Sequence, residues 1–312
     1  MCSSDLRSKI LLDGSLATKQ SSRAKRLCRW APQRLATFGD YLPRIASGAS
    51  RNHADAPLAF VHHADDMGFV TADSIVMITG GSRGIGLATA QALESTGATI
   101  VLMGRNPATV QAAVTNLQQR GIRAIPGVAD VADSADLARL RTELGPLGEP
   151  DVLIASAGVM SVKMSRTLRT SPEEWRRVLA TNTDGVFNAI QTFGQAMAER
   201  RSGRIIALSA CLGRFSGPGT AGGLAPYRVS KAAVNALIRN LAAELQWGKR
   251  GVLVDAVCPG HCRTDMGGPD APRSADQGAD TVAWLATRTL LDNAGDLVPT
   301  GLLWEDRDIV PW

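Results

Sequence analysis

The chain has 312 residues, 45% of them apolar, 20% charged and only 4% aromatic, which suffices for a substantial core and excludes collagen-like, low-complexity and wholly disordered chains. No run of about 18 apolar residues occurs, which excludes a membrane-spanning helix. The net charge of +5 sits at one end: residues 1–70 carry 10 Lys+Arg against 6 Asp+Glu, residues 71–312 carry 24 against 23, so a basic groove for nucleic acid has no support.

Residues 1–70 contain a Ser/Arg cluster (Ser21, Ser22, Arg23, Lys25, Arg26), three of the four histidines and no sustained hydrophobic period. Their six acidic residues argue against a mitochondrial transit peptide, and the stretch Ile10-Leu11-Leu12 is too short for a secretory signal. The expectation is a disordered extension, or a start assigned too early with Met67 as the natural one; a basic targeting or docking arm is the alternative. Five cysteines (Cys2, Cys28, Cys211, Cys258, Cys262) are few, odd in number and scattered. They form no disulfide framework, and a reducing compartment, the cytoplasm, is expected.

From Ser74 onward short β-rich runs alternate with helical stretches. Strands are expected at 75–79, 99–103, 122–128, 152–155, 204–209, 253–257 and 301–304. Helices are expected at about 85–96, 107–120, 134–144, 172–200, 226–246 and 275–290. Near-continuous apolar strands such as Ile75-Val-Met-Ile-Thr79 suit a sheet buried on both faces. The pattern predicts one doubly wound α/β domain over 71–312, a Rossmann fold with a seven-stranded, mainly parallel sheet and helices on both sides.

The first strand runs into Thr79-Gly-Gly-Ser-Arg-Gly-Ile-Gly86 and then into a helix. Gly80 permits the sharp turn, Gly84 lets backbone approach a pyrophosphate, and Gly86 allows helix to pack closely on strand. The free N–H groups and dipole of that helix then face the anion.

The spacing Thr-Gly-x-x-x-Gly-x-Gly is similar to that of the short-chain dehydrogenase/reductase family, and further motifs follow in the family's order over residues 74–312. Asp130-Val131 matches the position placed on adenine. Asn182, in Thr-Asn-Thr-Asp-Gly, matches the structural and catalytic Asn. Tyr227-Arg-Val-Ser-Lys231 matches Y-x-x-x-K, and Pro259-Gly260 with Thr264 matches the loop that cradles nicotinamide. The resemblance implies a dinucleotide held by Gly80, Ser82, Arg83, Gly84, Ile85, Gly86, Arg105, Asp130, Val131, Ala157, Gly158, Tyr227, Lys231, Pro259, Gly260 and Thr264. It implies catalysis by Tyr227, Lys231 and Asn182, and pro-S hydride transfer. The carboxyl-terminal text resembles carbonyl-reductase-type members, and the helices at 172–200 and 226–246 resemble those through which members pair as homodimers or homotetramers.

Charge points to one dinucleotide. The second strand ends Met103-Gly104-Arg105-Asn106, with no carboxylate for a ribose 2′-OH. Arg105 and Arg83 offer guanidinium forks for a 2′-phosphate, so NADP(H) is expected over NAD(H).

Tyr227 and Lys231 lie four apart, on one face of a helix. A nearby ammonium and an oxidised nicotinamide would stabilise the phenolate, letting Tyr227 exchange a proton with a substrate oxygen. The family's Ser on the fifth strand is missing: Ala207-Leu-Ser-Ala-Cys-Leu-Gly213 puts Ala210 in its place and Ser209 one step early. Adjacent strand residues face opposite ways, so Ser209 serves only if the strand bulges; Ser216 and Thr220 are the other candidate hydroxyls. Ala155-Ser-Ala-Gly158 likewise departs from the family's N-N-A-G. Neither His62-His63 nor Cys258, His261 and Cys262 have metal-site spacing, and no metal is expected.

The resulting expectation is an NADP(H)-dependent reductase of a ketone or aldehyde substrate, reversible to the alcohol. A 3-oxoacyl thioester reductase, or a weakly active NADP-binding module lacking the Ser, are the alternatives.

Overall fold

The computed structural model describes residues 68–162 and 166–312; the expectations for residues 1–67, His62-His63 included, lie outside them. Phe69 and Val70, in the last part of the expected extension, pack on the sheet: Phe69 N donates to Thr287 O at 2.7 Å and Val70 is buried.

Fifteen regular elements build the sheet and its cover. In chain order they are β1 Ile75–Thr79, α1 Gly84–Ala92, β2 Thr99–Gly104, α2 Pro107–Gln119, β3 Ala124–Val128, α3 Ser134–Leu144 and β4 Val152–Ala155. Then come α4 Pro172–Leu179, α5 Gly185–Arg200, β5 Gly203–Leu208, α6 Ala225–Glu244, β6 Val252–Val257, α7 Ala275–Thr287, β7 Leu303–Glu305 and β8 Asp308–Val310. The strand order is β3-β2-β1-β4-β5-β6-β7-β8, parallel from β3 to β7. Chain direction across the sheet reverses between β1 and β4, and their carboxyl ends therefore open a crevice.

The apolar strands feed two cores, one on each face. Met77, Leu153, Ile205 and Val254 pack under Leu137, Phe193 and Val234 of α3, α5 and α6. Val76, Ile78, Ile100 and Ile154 pack under Val114 of α2 and Val282 of α7. Each such side chain, fully buried, contributes about 1.5–3 kcal/mol. Helix starts follow capping chemistry: Asn106, Asp133, Ser171 and Ser274 accept from first-turn amides of α2, α3, α4 and α7.

Three expectations are corrected. The sheet has eight strands, not seven, because Asp306 and Arg307 adopt left-handed backbone (φ 53° and 63°) and return the chain as antiparallel β8. The helix expected at 172–200 is interrupted by a π-helical turn, Ala180–Asp184, which separates α4 from α5. The last helix stops at Thr287, before Arg288 turns inward to the carboxylate of Asp255.

Arg204 of β5, Asp255 of β6 and Arg288, just after α7, form a charged cluster. Asp255 accepts from Arg288 and from Trp304 Nε1 at 2.9 Å, while the Arg204 guanidinium lies 3.7 Å from the Phe69 ring centre. Burial lowers the Arg204 pKa to about 9, with the neighbouring Arg288 charge pushing the same way.

Candidate active site

The crevice between β1 and β4 is a cleft of about 440 Å³. One wall is the glycine loop. Gly80 has φ +63°, and a Cβ there would lie 2.7 Å from Ala157 Cα, so the tight turn and the close approach of the β4 loop both require glycine. At Gly86 a Cβ would lie 2.6 Å from Gly80 O, which is the close helix–strand packing expected there.

α1 is a nine-residue helix without a side-chain cap and without an acidic residue in its first turn. Its leading N–H groups and partial positive charge are left to the cleft, a fit for a pyrophosphate anion. Gly84 (φ +57°) faces the Thr264 methyl, 3.3 Å from where a Cβ would sit. Gly158 leaves open the space beside Lys231 Nζ and Asn182 Oδ1, which a Cβ would approach at 3.7 and 3.5 Å. The residues present thus fit a dinucleotide.

The opposite wall comes from α6 and the loop after β6. Tyr227 and Lys231 both line the cleft and are both buried. Lys231 Nζ donates to Leu208 O at 2.7 Å and lies 5.8 Å from the Tyr227 ring centre. Burial lowers the Lys231 pKa to about 8. The Tyr227 phenol is pushed well above its ordinary value, first by burial and then by electrostatic interaction with Cys258 and Cys211. The ammonium alone therefore does not lower it, and the phenol is held protonated. Ser161 Oγ accepts from Tyr227 N at 3.0 Å, fixing the start of α6 against the loop after β4.

Of the residues expected on a dinucleotide, Gly80, Ser82, Arg83, Gly84, Ile85, Gly86, Arg105, Val131, Ala157, Gly158, Pro259 and Thr264 line the cleft. Three residues read from the sequence do not line it. Asn182 is fully buried in the π turn, where its Oδ1 accepts from Val159 N at 2.8 Å and its Nδ2 donates to Val159 O and Ser230 Oγ, each at 3.0 Å. It braces the loop after β4 against α6. Asp130 accepts from Ala132 N and lies 3.6 Å from Arg105. Gly260 has its Cβ position filled by the Arg273 side chain, 2.8 Å away.

Ser209 does border the cleft, but its hydroxyl turns to α6, bonding Asn235 Oδ1 and Lys231 O. The strand runs into Ala210 in extended conformation without a bulge (φ −160°, ψ 152°), so Ser209 is not delivered to the other face. Thr220 Oγ1 is bonded within its own turn, to Gly217 O at 2.8 Å.

Sequence reasoning missed Asn106, Thr109, Asp265 and Met266 in the lining. Asn106-Pro107 is legible as a helix start, and that start happens to border the cleft. Asp265 carried no signal, because its role depends on Arg83 across the mouth, 2.7 Å away. Cys258, His261 and Cys262 bond Glu305, Gly267 O and Pro259 O, respectively.

The chain is similar to known proteins. A family model described as short chain dehydrogenase matches residues 74–274. A 3-oxoacyl-[acyl-carrier-protein] reductase of Synechocystis sp. is 35% identical over 194 residues, covering 62% of this chain and 75% of that protein. Galactitol 2-dehydrogenase (L-tagatose-forming) of Cereibacter sphaeroides is 36% identical over 190 residues, covering 61% and 71%. Among solved structures, a 3-oxoacyl-[acyl-carrier protein] reductase with bound NAD from Brucella melitensis superposes with TM-score 0.68 at 26% identity, over 82% of this chain and 97% of that one. A gluconate 5-dehydrogenase from Burkholderia cenocepacia in complex with NADP and tartrate superposes with TM-score 0.66 at 26% identity, over 77% and 95%.

Proposed function

Since the chain belongs to the short-chain dehydrogenase family, we propose that it is an NADP(H)-dependent oxidoreductase that reduces a ketone or aldehyde to the alcohol, reversibly. The observation that carries this reading is the pairing of Tyr227 and Lys231, one turn apart on α6, in the cleft opposite the uncapped start of α1.

When bound, the nicotinamide supplies or accepts the hydride and, oxidised, adds positive charge to the site. The first-turn amides of α1 would hold the diphosphate, and Lys231, anchored on Leu208 O, would hold the ribose. Tyr227, kept protonated by burial, gives its proton to the substrate oxygen as the carbonyl carbon is reduced, and takes it back in reverse. Asn182 keeps the loop after β4 in register with α6. With Ala210 where the family has Ser, Tyr227 polarises the carbonyl alone.

Arg83 and Arg105 are the residues assigned to the 2′-phosphate. Each is exposed and each already faces a carboxylate, Asp265 and Asp130, so binding exchanges one anion for another. The exposed Trp175 of α4 and Phe187 of α5 support pairing of copies through these helices as a homodimer or homotetramer. Free thiols at Cys211, Cys258 and Cys262 support a reducing compartment, the cytoplasm. Among the described residues no helix is long and apolar enough to cross a membrane.

A second reading, a 3-oxoacyl thioester reductase, is favoured by the relatives of that name. The test follows NADPH absorbance with aldehydes, ketones and a 3-oxoacyl thioester, for the wild type and Tyr227→Phe. Turnover that falls on the order of 10²–10⁴-fold in the variant, with NADPH binding retained, is the expected result. Tight NADPH binding with no turnover in either protein would make the chain a binding module.

A further inference from the structure

Two thiols behind the cleft take no part in the chemistry above. β5 and β6 are parallel neighbours, with Leu208 opposite Val257 and Ser209 N donating to Val257 O at 2.7 Å. Just beyond, the chain from β5 curls into a tight turn, Cys211–Gly213, and the Cys211 N–H points at Cys258 Sγ, 3.0 Å away. Strand spacing and this curl bring the two thiols within hydrogen-bonding reach of each other. Cys211 is half-buried and Cys258 is buried.

We propose that Cys211 and Cys258 are a redox-active dithiol that closes to an intramolecular disulfide on reaction with a low-molecular-weight disulfide. The division of labour follows from the surroundings. Cys211 is the attacking sulfur: it is the accessible one, and its ionisation is favoured first by a hydrogen bond from the Cys258 thiol and further by the charge of Arg214. Cys258 is the resolving sulfur, held protonated, with Glu305 Oε1 in reach of its S–H at 3.5 Å.

The Cys211 thiolate attacks one sulfur of the reagent, its S–S bond breaks, and one reagent thiolate leaves and takes up a proton. Cys258 then passes its proton to Glu305 and attacks the Cys211 sulfur, expelling the second reagent thiol. Two protein thiols are oxidised and one reagent disulfide is reduced to two thiols. The turn that carries Cys211 lies against Lys231, where a Cβ at Gly213 would come within 2.7 Å, and Pro259, next to Cys258, lines the cleft. Closure also removes the charge that the Cys211 thiolate presents to Tyr227.

The experiment treats the full-length folded chain with oxidised glutathione, blocks remaining thiols, and maps tryptic peptides without reduction. The expected result is a cross-link between residues 205–214 and 251–263, reversed by dithiothreitol. It persists in Cys262→Ser. In Cys258→Ser it is lost, and Cys211 stops as the glutathione adduct. Should that variant fail to fold, the wild type and Cys262→Ser still decide the matter. A cross-link absent from Cys262→Ser, or both thiols untouched in the folded chain while the guanidinium-unfolded chain is oxidised, overturns the proposal. These readouts need no turnover and stand apart from the reductase reading.

Discussion

The Arg83 guanidinium reaches across the mouth of the cleft to the Asp265 carboxylate, 2.7 Å away, joining the glycine loop to the loop after β6. Both side chains are about three-quarters exposed, and such a pair adds little stability and is screened by salt. It is an interaction that a phosphate can replace at small cost. Arg105, 3.6 Å from Asp130, is in the same position.

The proposed preference for NADP(H) rests on this pair of arginines. Arg105→Asp removes one fork and adds repulsion toward a 2′-phosphate, so kcat/KM with NADPH is expected to fall roughly ten- to hundredfold, the range of a charged hydrogen bond, while NADH gains relative to it. Steady-state kinetics with both cofactors check this; an unaltered NADPH preference removes Arg105 from the phosphate site.

Ala210→Ser restores a hydroxyl where the family carries one. If Tyr227 works unaided in this chain, the added donor raises kcat toward the factor of about 10²–10³ that one oxyanion donor provides. No gain, measured on the best substrate of the panel, means that another group already polarises the carbonyl.

Stability depends on the cluster around Asp255. Asp255→Ala leaves Arg288 buried with its charge uncompensated and deprives Trp304 Nε1 and Leu302 N of their acceptor. Breaking a buried pair this way costs about 3–5 kcal/mol, which urea unfolding would register as a lower midpoint. An unchanged midpoint would mean the cluster is not closed to water.

Lys231 makes stability depend on pH in a defined window. Its pKa falls from the ordinary 10.5 to about 8 in the folded chain, because burial penalises the ammonium. Between those values the unfolded chain binds the proton that the folded one has released, so raising pH favours folding. The stability of the wild type relative to Lys231→Met should rise from pH 8 to 10.5, by at most about 1.4 kcal/mol per unit. A flat difference over that range would show Lys231 to be solvated.

Much of the fold was legible because its signals are local. Apolar runs mark β1, β2 and β4, and Asn106, Asp133, Ser171 and Ser274 announce the helices they cap. The site was legible where a motif is contiguous, as from Gly80 to Gly86 and from Tyr227 to Lys231. What escaped depends on meetings between distant segments. The Arg83–Asp265 pair spans 182 residues, and the raised Tyr227 pKa arises from burial and from two cysteines, one at the end of β5 and one at the end of β6. β8 escaped because a three-residue strand carries too little period to distinguish it from a tail.

The π turn at Ala180–Asp184 holds one residue more than an α-helical turn would. That surplus lets Asn182 point toward Val159 and Ser230 while α5 still presents Ile190 and Phe193 to the sheet. Deleting a single residue there would rewind the segment and swing everything downstream by about 100° around the axis, carrying those two side chains off the core. The stretch therefore tolerates exchange of letters far better than a change in their number.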